Sequence, residues 1–228
     1  MLPEKIAGLK KRLIEYVALV EDMIDKSVKG LLNKNEALLR EIIIEEERAN
    51  QYDNEIDETC TALIAQFEPV AKDLRTVIMI LKMNKDLERI ADHAVNIAES
   101  SLYLTAHPTP KCSQDIEIMA KTAAGMLRDS IRAFVNEDAG LAQTVRKQDA
   151  IVDKAGDKIL EDLTEFMKKE HDDIKQSLHL MRIAYNLERI ADLSTNICEE
   201  VIYIVEGRDV RHHKNKQGNG NTGKDKIW

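Results

Sequence analysis

Apolar residues return every three or four positions along almost the whole chain, the spacing of a helix with one buried face. Ile6, Leu9, Leu13, Val17 and Val20 open a first helix that runs to about Gly30. Asn33-Lys-Asn-Glu36 reads as a turn and a helix start, since Asn is a good N-cap with Glu three residues on. The second helix then continues to about Phe67 and stops before Pro69. Asp73 is the expected N-cap of a third helix reaching about Leu104. Thr105-Ala-His-Pro-Thr-Pro-Lys111 has two prolines in three residues and no periodicity, so it reads as a linker. A fourth helix runs to about Val135, Asn136-Glu-Asp138 turns the chain, and a fifth continues to about Lys169. The sixth starts near Asp172 or Asp173 and ends near Gly207, a common C-terminal stop.

Three helices, a linker and three helices form a repeated order, and the residues repeat with it. Shifted by 100 positions, the third helix lies on the sixth without a gap. Leu-Glu-Arg-Ile-Ala-Asp at 87–92 recurs at 187–192, Asn96-Ile97 meets Asn196-Ile197, Glu99 meets Glu199 and Tyr103 meets Tyr203. That gives 11 identities over positions 73–106, six of them consecutive. The second and fifth helices match less closely, at an offset near 103. The expected fold is all-α: two tandem three-helix bundles, residues 1–106 and 113–207, related by an approximate two-fold and joined by a linker at 107–112. Residues 208–228, rich in Gly, Asn and Lys, lack apolar periodicity and read as a disordered basic tail.

Composition narrows the function. Charged residues make up 32% of the chain and aromatics 4%, with four prolines and nine glycines, which suits long helices. No run of apolar residues reaches the ~18 needed to span a bilayer, and the N-terminus lacks an apolar signal core. Cys60, Cys112 and Cys198 are odd in number and far apart, which argues for reduced thiols in a cytoplasm and against a disulfide framework or a thiolate zinc site. The tail from Gly207 carries six Lys/Arg against Asp209 and Asp225, a local +4, so residues 1–206 hold −12 of the chain's −8 total. A body that acidic repels nucleic-acid phosphates.

The acids are ordered. Glu88, Asp92, Asn96 and Glu99 fall on one helix face, and Glu188, Asp192, Asn196 and Glu199 repeat them. The second helix carries Glu46, Asn50, Asp53 and Asp57 on one face, and the fifth carries Asp149, Asp153 and Asp157. Helices joined by a short turn run antiparallel, so residues equally far from that turn should meet. Clustered carboxylates repel unless a cation sits among them, either a hard metal ion or basic side chains. A solvated acidic face is the alternative, and Arg89 and Arg189 could neutralise part of the charge as structural ion pairs.

Two tandem units, each ending in a Leu-Glu-Arg-Ile-Ala-Asp helix with Asn and Glu downstream, resemble the PhoU family of bacterial phosphate-regulon regulators. Tyr203-Ile-Val-Glu-Gly-Arg-Asp-Val-Arg-His212 also resembles the end of that family's last helix. The resemblance covers about residues 4–213. It implies oxygen-ligated metal ions (iron, magnesium, manganese or zinc) held by Glu46, Asn50, Glu88 and Asp92 in one unit and by Asp149, Asp153, Glu188 and Asp192 in the other. Asn50 stands where many relatives have Asp, so the second site is expected to be the stronger. Asp53, Asp57, Asn96, Glu99, Asn196 and Glu199 are further candidates for metal or partner contacts. The resemblance also implies a cytoplasmic homodimer that represses phosphate-starvation signalling through the PstB-type transporter ATPase and a PhoR-type sensor kinase, touching the membrane only through these partners.

Other function classes fit less well. A di-metal carboxylate oxidase needs paired Glu-x-x-His ligands, and no Glu here has His three residues on. His93 and His179 are not repeated, since Leu193 and Met79 hold the matching places. Glu170-His-Asp-Asp-Ile-Lys175 loosely resembles a kinase phosphotransfer box, but no ATP-binding region follows. With no Gly-rich phosphate loop and no supported nucleophile set, a non-enzymatic role is expected. A metal-free helical adaptor is the alternative that metal content distinguishes.

Overall fold

The computed structural model describes residues 2–107, 113–169 and 173–207. Six helices account for nearly all of them: α1 (Leu2–Leu32), α2 (Glu36–Phe67), α3 (Ala71–Thr105), α4 (Ser113–Asn136), α5 (Ala139–Lys169) and α6 (Ile174–Glu206). Helices α1, α2 and α3 pack on one another as one bundle, and α4, α5 and α6 as a second. The bundles join through α3 against α6 and α1 against α4, while α2 and α5 touch only helices of their own bundle. The apolar stripes fill both interiors in one continuous core, from Leu13 and Ile42 to Ile159 and Ile197. Among the described residues no helix is long and apolar enough to cross a membrane.

The turns show the duplication atom by atom. Lys34 (φ 51) and Glu137 (φ 54) both adopt the left-handed conformation immediately before a capping residue. Asn35 Oδ1 then accepts from the Leu38 amide at 3.2 Å, and Asp138 Oδ1 accepts from the Leu141 amide at 2.9 Å. Both pairs are 103 positions apart, the offset read from the sequence. The expected cap at Asp73 is displaced: Val70, extended after Pro69, caps α3, and Asp73 lies in the first helical turn. Pro69 disfavours a helical conformation only at the residue before it, so the helix resumes sooner than a search for a polar cap suggests. At α6 the N-cap is Asp173, whose carboxylate accepts from Gln176 Nε2 instead of a backbone amide. Most of the linker, His171, Asp172 and the tail from residue 208 lie outside the described residues.

The approximate two-fold is visible where the bundles meet. Lys82 of α3 reaches Glu200 of α6 at 3.1 Å, and its counterpart Arg182 of α6 reaches Glu99 of α3 at 3.2 Å. Exchanging the halves of the chain carries Lys82 onto Arg182, and each base finds an acid across the interface. The two acids lie one position apart in register, because Glu200 corresponds to Ser100. The second interface is held by Arg128 Nε on Glu21, 2.9 Å, and by Lys10 over the Phe134 ring.

Candidate functional site: acidic seams between α2 and α3 and between α5 and α6

Each bundle presents an acidic seam between its outer helix and the helix that follows. In the first bundle the register is fixed by Asp53 of α2, which is 8% exposed and gripped from α3. Asn84 Nδ2 donates to Asp53 Oδ1 at 2.7 Å and to the Asp53 carbonyl at 2.8 Å. Lys85 Nζ donates to both carboxylate oxygens, at 3.0 and 3.2 Å. Asp53 and Lys85 lie equally far before and after Pro69, as antiparallel pairing requires. Asn50 and Glu46, one and two turns back along α2, therefore lie at the level of Glu88 and Asp92 on α3.

The electrostatics of this seam are those of crowded carboxylates. Burial pushes the Glu88 carboxyl above its usual range, the charges of Asp92 and Asp53 push it further, and Lys85 and Arg89 oppose them. Burial also raises Asp92, against a lowering by His93. Beneath them lies Tyr16 of α1, wholly buried, with a hydroxyl that has no hydrogen-bond partner. Burial and the charges of Asp53, Glu88 and Asp92 make that phenol harder to ionise. The Tyr16 ring stacks on Tyr52, 5.3 Å between centroids, and Arg12 covers the other end of the stack 4.0 Å from Tyr52.

The second seam is ordered by different contacts. Arg146 Nη2 bonds Glu199 at 3.0 Å across α5 and α6. Ten residues along α5, Gly156 faces Glu188, whose Oε2 would lie 3.7 Å from a Cβ placed there. Asp149 and Asp153, between those points on α5, are thereby set alongside Asp192 and Asn196 of α6. Asp149 is 8% exposed, Glu188 and Asp192 are half-buried, and Asp153, Asp157 and Asn196 are exposed. Arg189 pairs with Asp192 at 2.9 Å, as a structural ion pair would, whereas Arg89 leans toward Asp86 at 3.9 Å, off the stripe.

Counting along the helices sets Glu46, Asn50, Glu88 and Asp92 in the first seam and Asp149, Asp153, Glu188 and Asp192 in the second, while several of the further candidates are already engaged. Asn96 and Glu99 are bonded by Arg182 of the other bundle, at 2.6 and 3.2 Å, and Glu199 by Arg146. Asp57 is half-buried farther down α2. Among the described residues no three Asp, Glu, His or Cys side chains converge as a metal-holding group. The donor chemistry, carboxylates with an amide, suits a hard cation, while the side-chain positions are those of ion-paired faces. Lys85, Asn84 and Tyr16 were missed from the sequence. The distance rule about Pro69 points to Lys85, and the 100-residue offset shows it is not repeated, since Tyr185 takes its place.

Comparison with known proteins adds to this geometry. The model of the PhoU domain matches residues 13–101 and again 116–201, one match in each bundle. A Thermotoga maritima protein described as phosphate-specific transport system accessory protein PhoU homolog 2 is 34% identical over 207 residues, covering 91% of this chain and 88% of the relative. Homolog 1 from the same organism is 31% identical over 218 residues, covering 95% and 94%. Among solved structures, PhoU from Pseudomonas aeruginosa superposes with a TM-score of 0.88 at 29% identity, covering 91% of this chain and 100% of that one. The phosphate transport system regulatory protein PhoU from Streptococcus pneumoniae gives 0.86 at 28% identity, covering 92% and 99%.

Proposed function

We propose a function from one premise: the chain belongs to the PhoU family. It is an accessory protein of phosphate transport that regulates the system by contact with other proteins, and it represses phosphate-starvation signalling when phosphate is plentiful. Its partners in this reading are a PstB-type transporter ATPase and a PhoR-type sensor kinase, met at the cytoplasmic side of the membrane, with the protein acting as a homodimer. The family is one of regulatory accessory proteins and not a class of enzymes. The observation that carries the reading is the double match: a PhoU domain in each bundle, over nearly the whole described chain. The six-helix body supports it, because its long acidic faces are suited to binding.

In the same reading an oxygen-ligated cation (iron, magnesium, manganese or zinc) binds on the acidic faces, foremost between α5 and α6. Asp149, Asp153, Glu188 and Asp192 would hold it, and Glu46, Asn50, Glu88 and Asp92 are the corresponding set between α2 and α3. The chemistry such an ion supplies is charge neutralisation, which would fix the acidic seam and the surface beside it. The regulatory reading is tested by deleting the gene and measuring transcription of phosphate-scavenging genes in high phosphate. Those genes should stay switched on. Normal repression in the deletion strain overturns the assignment.

A further inference from the structure

We propose that Lys85 is a built-in cation that occupies the α2–α3 seam in place of a metal ion, leaving the two bundles unlike in their need for metal. The proposal rests on the reading of the acidic seams as cation sites. Its first ground is geometric. The Lys85 ammonium spans both oxygens of Asp53 at 3.0 and 3.2 Å, and Asn84 fixes the same carboxylate at 2.7 Å. Lys85 and Glu88 lie three residues apart on one face of α3, so the ammonium stands beside Glu88 on its own helix while it holds Asp53 from α2. A divalent ion there would have to claim oxygens that Lys85 already holds, because such ions take six or more oxygen ligands.

A second ground is the neutral oxygen chemistry around this place. The Tyr16 hydroxyl is fully buried under Asp53, Glu88 and Asp92 and has no hydrogen-bond partner. Asn84 Oδ1, on the side chain that grips Asp53, is also buried and without one. Buried polar atoms left over in this way are uncommon, and these two are neutral oxygens with bonding capacity to spare near the Asp53 carboxylate. Removing Lys85 therefore leaves the Asp53 carboxylate beside neutral oxygens, with Glu88 one turn along the same face of α3 and no cation between them.

The third ground is the internal comparison. Lys85 corresponds to Tyr185 and Asn84 to Ala184 at the 100-residue offset, and Asp53 corresponds to Gly156 at the 103-residue offset. The acid and both side chains that grip it are replaced together in the second bundle. Gly156 there lies between Met119 and Glu188, where the first bundle has Asp53 and its ammonium. The device belongs to one bundle only, although the folds of the two bundles correspond.

The test counts manganese. Wild-type protein, Lys85→Met, Lys85→Arg and Asp153→Asn with Asp192→Asn are stripped with chelator, loaded with Mn²⁺ alone, gel-filtered and assayed by plasma mass spectrometry, with circular dichroism as the check of folding. Lys85→Met should hold about one more Mn²⁺ per chain than wild type. Lys85→Arg, which keeps the charge, should show no gain, and adding Asp53→Asn to Lys85→Met should remove it. A folded Lys85→Met that binds no more than wild type overturns the proposal. So does an arm that leaves Lys85 in place: Mn²⁺ retained by the Asp153→Asn, Asp192→Asn protein and then lost on Glu88→Gln would show a metal already in the first seam. Manganese absent from the wild type would sink the α5–α6 metal reading alone, since the gain in Lys85→Met is read separately from it.

Discussion

Replacing Gly30 by alanine should destabilise the protein even though alanine is the better helix former. Gly30 lies in the last turn of α1, buried, and its carbonyl accepts from the Asn35 amide at 2.9 Å, so the turn into α2 closes directly over it. A Cβ at this position would lie 2.6 Å from Leu39 Cγ, with Leu39 Cδ2 nearer still. Ordinary carbon contacts are about 3.5–4.0 Å, so the Leu39 side chain or the turn has to shift by about 1 Å. Leu39 has no exposed surface and is enclosed by the core, so it cannot swing outward. Overpacking of this kind costs about 1–3 kcal/mol. The gain in helix propensity is at most about 1 kcal/mol, and less within a terminal turn. The net expectation is a loss of about 1–2 kcal/mol, or a Tm lower by about 2–8 °C for a chain of this size. Gly125→Ala is the contrast. It sits within α4 with nothing within 4 Å of an added Cβ, and should leave stability unchanged or raise it by up to about 1 kcal/mol. Urea unfolding followed at 222 nm measures both. Adding Leu39→Ala to Gly30→Ala should cost less than the two changes separately, because alanine lacks both the γ and the δ carbons that the new Cβ would meet. A Gly30→Ala protein as stable as wild type would refute the reasoning, and so would strict additivity with Leu39→Ala.

Two further outcomes follow from the same packing. Asn35→Ala and Asp138→Ala should each destabilise by about 1 kcal/mol, since each removes the side-chain cap of a helix; near-equal losses in urea unfolding would confirm that the two turns are equivalent, and a loss at one position only would deny it. Burial pushes the Cys60 and Cys198 thiols up to about 12, so at pH 8 only about 10⁻⁴ of each is thiolate, and neither should react with iodoacetamide until the protein unfolds. Peptide-level mass spectrometry separates these sites from Cys112, and labelling of native Cys60 at the rate of a free thiol would contradict the burial.

The sequence alone determined the helices and their duplication. Helical spacing of Ile6, Leu9, Leu13, Val17 and Val20 is enough to define a buried stripe, and every one of these residues is in the core. The 100-residue offset between the Leu-Glu-Arg-Ile-Ala-Asp segments foretold equivalent helices, because one sequence pattern packed on the same neighbours takes one structure. Even the level at which α2 meets α3 could be counted from Pro69, since antiparallel helices of equal rise pair residues equally far from their turn. What the sequence did not hold was the identity of each acid's partner. Asn96 and Glu99 read as a repeat of the metal-candidate stripe, yet Arg182, more than eighty residues away, lies on them because α3 and α6 cross between the bundles. Glu199 is engaged by Arg146 across α5 and α6, and His93 donates to Asn186 across the central seam at 2.8 Å. Linear spacing places a side chain on a face of its own helix, whereas helix crossing and bundle docking decide which charge stands opposite. That is why the acidic stripes were legible along the chain, and why the ammonium of Lys85 among them became visible only in three dimensions.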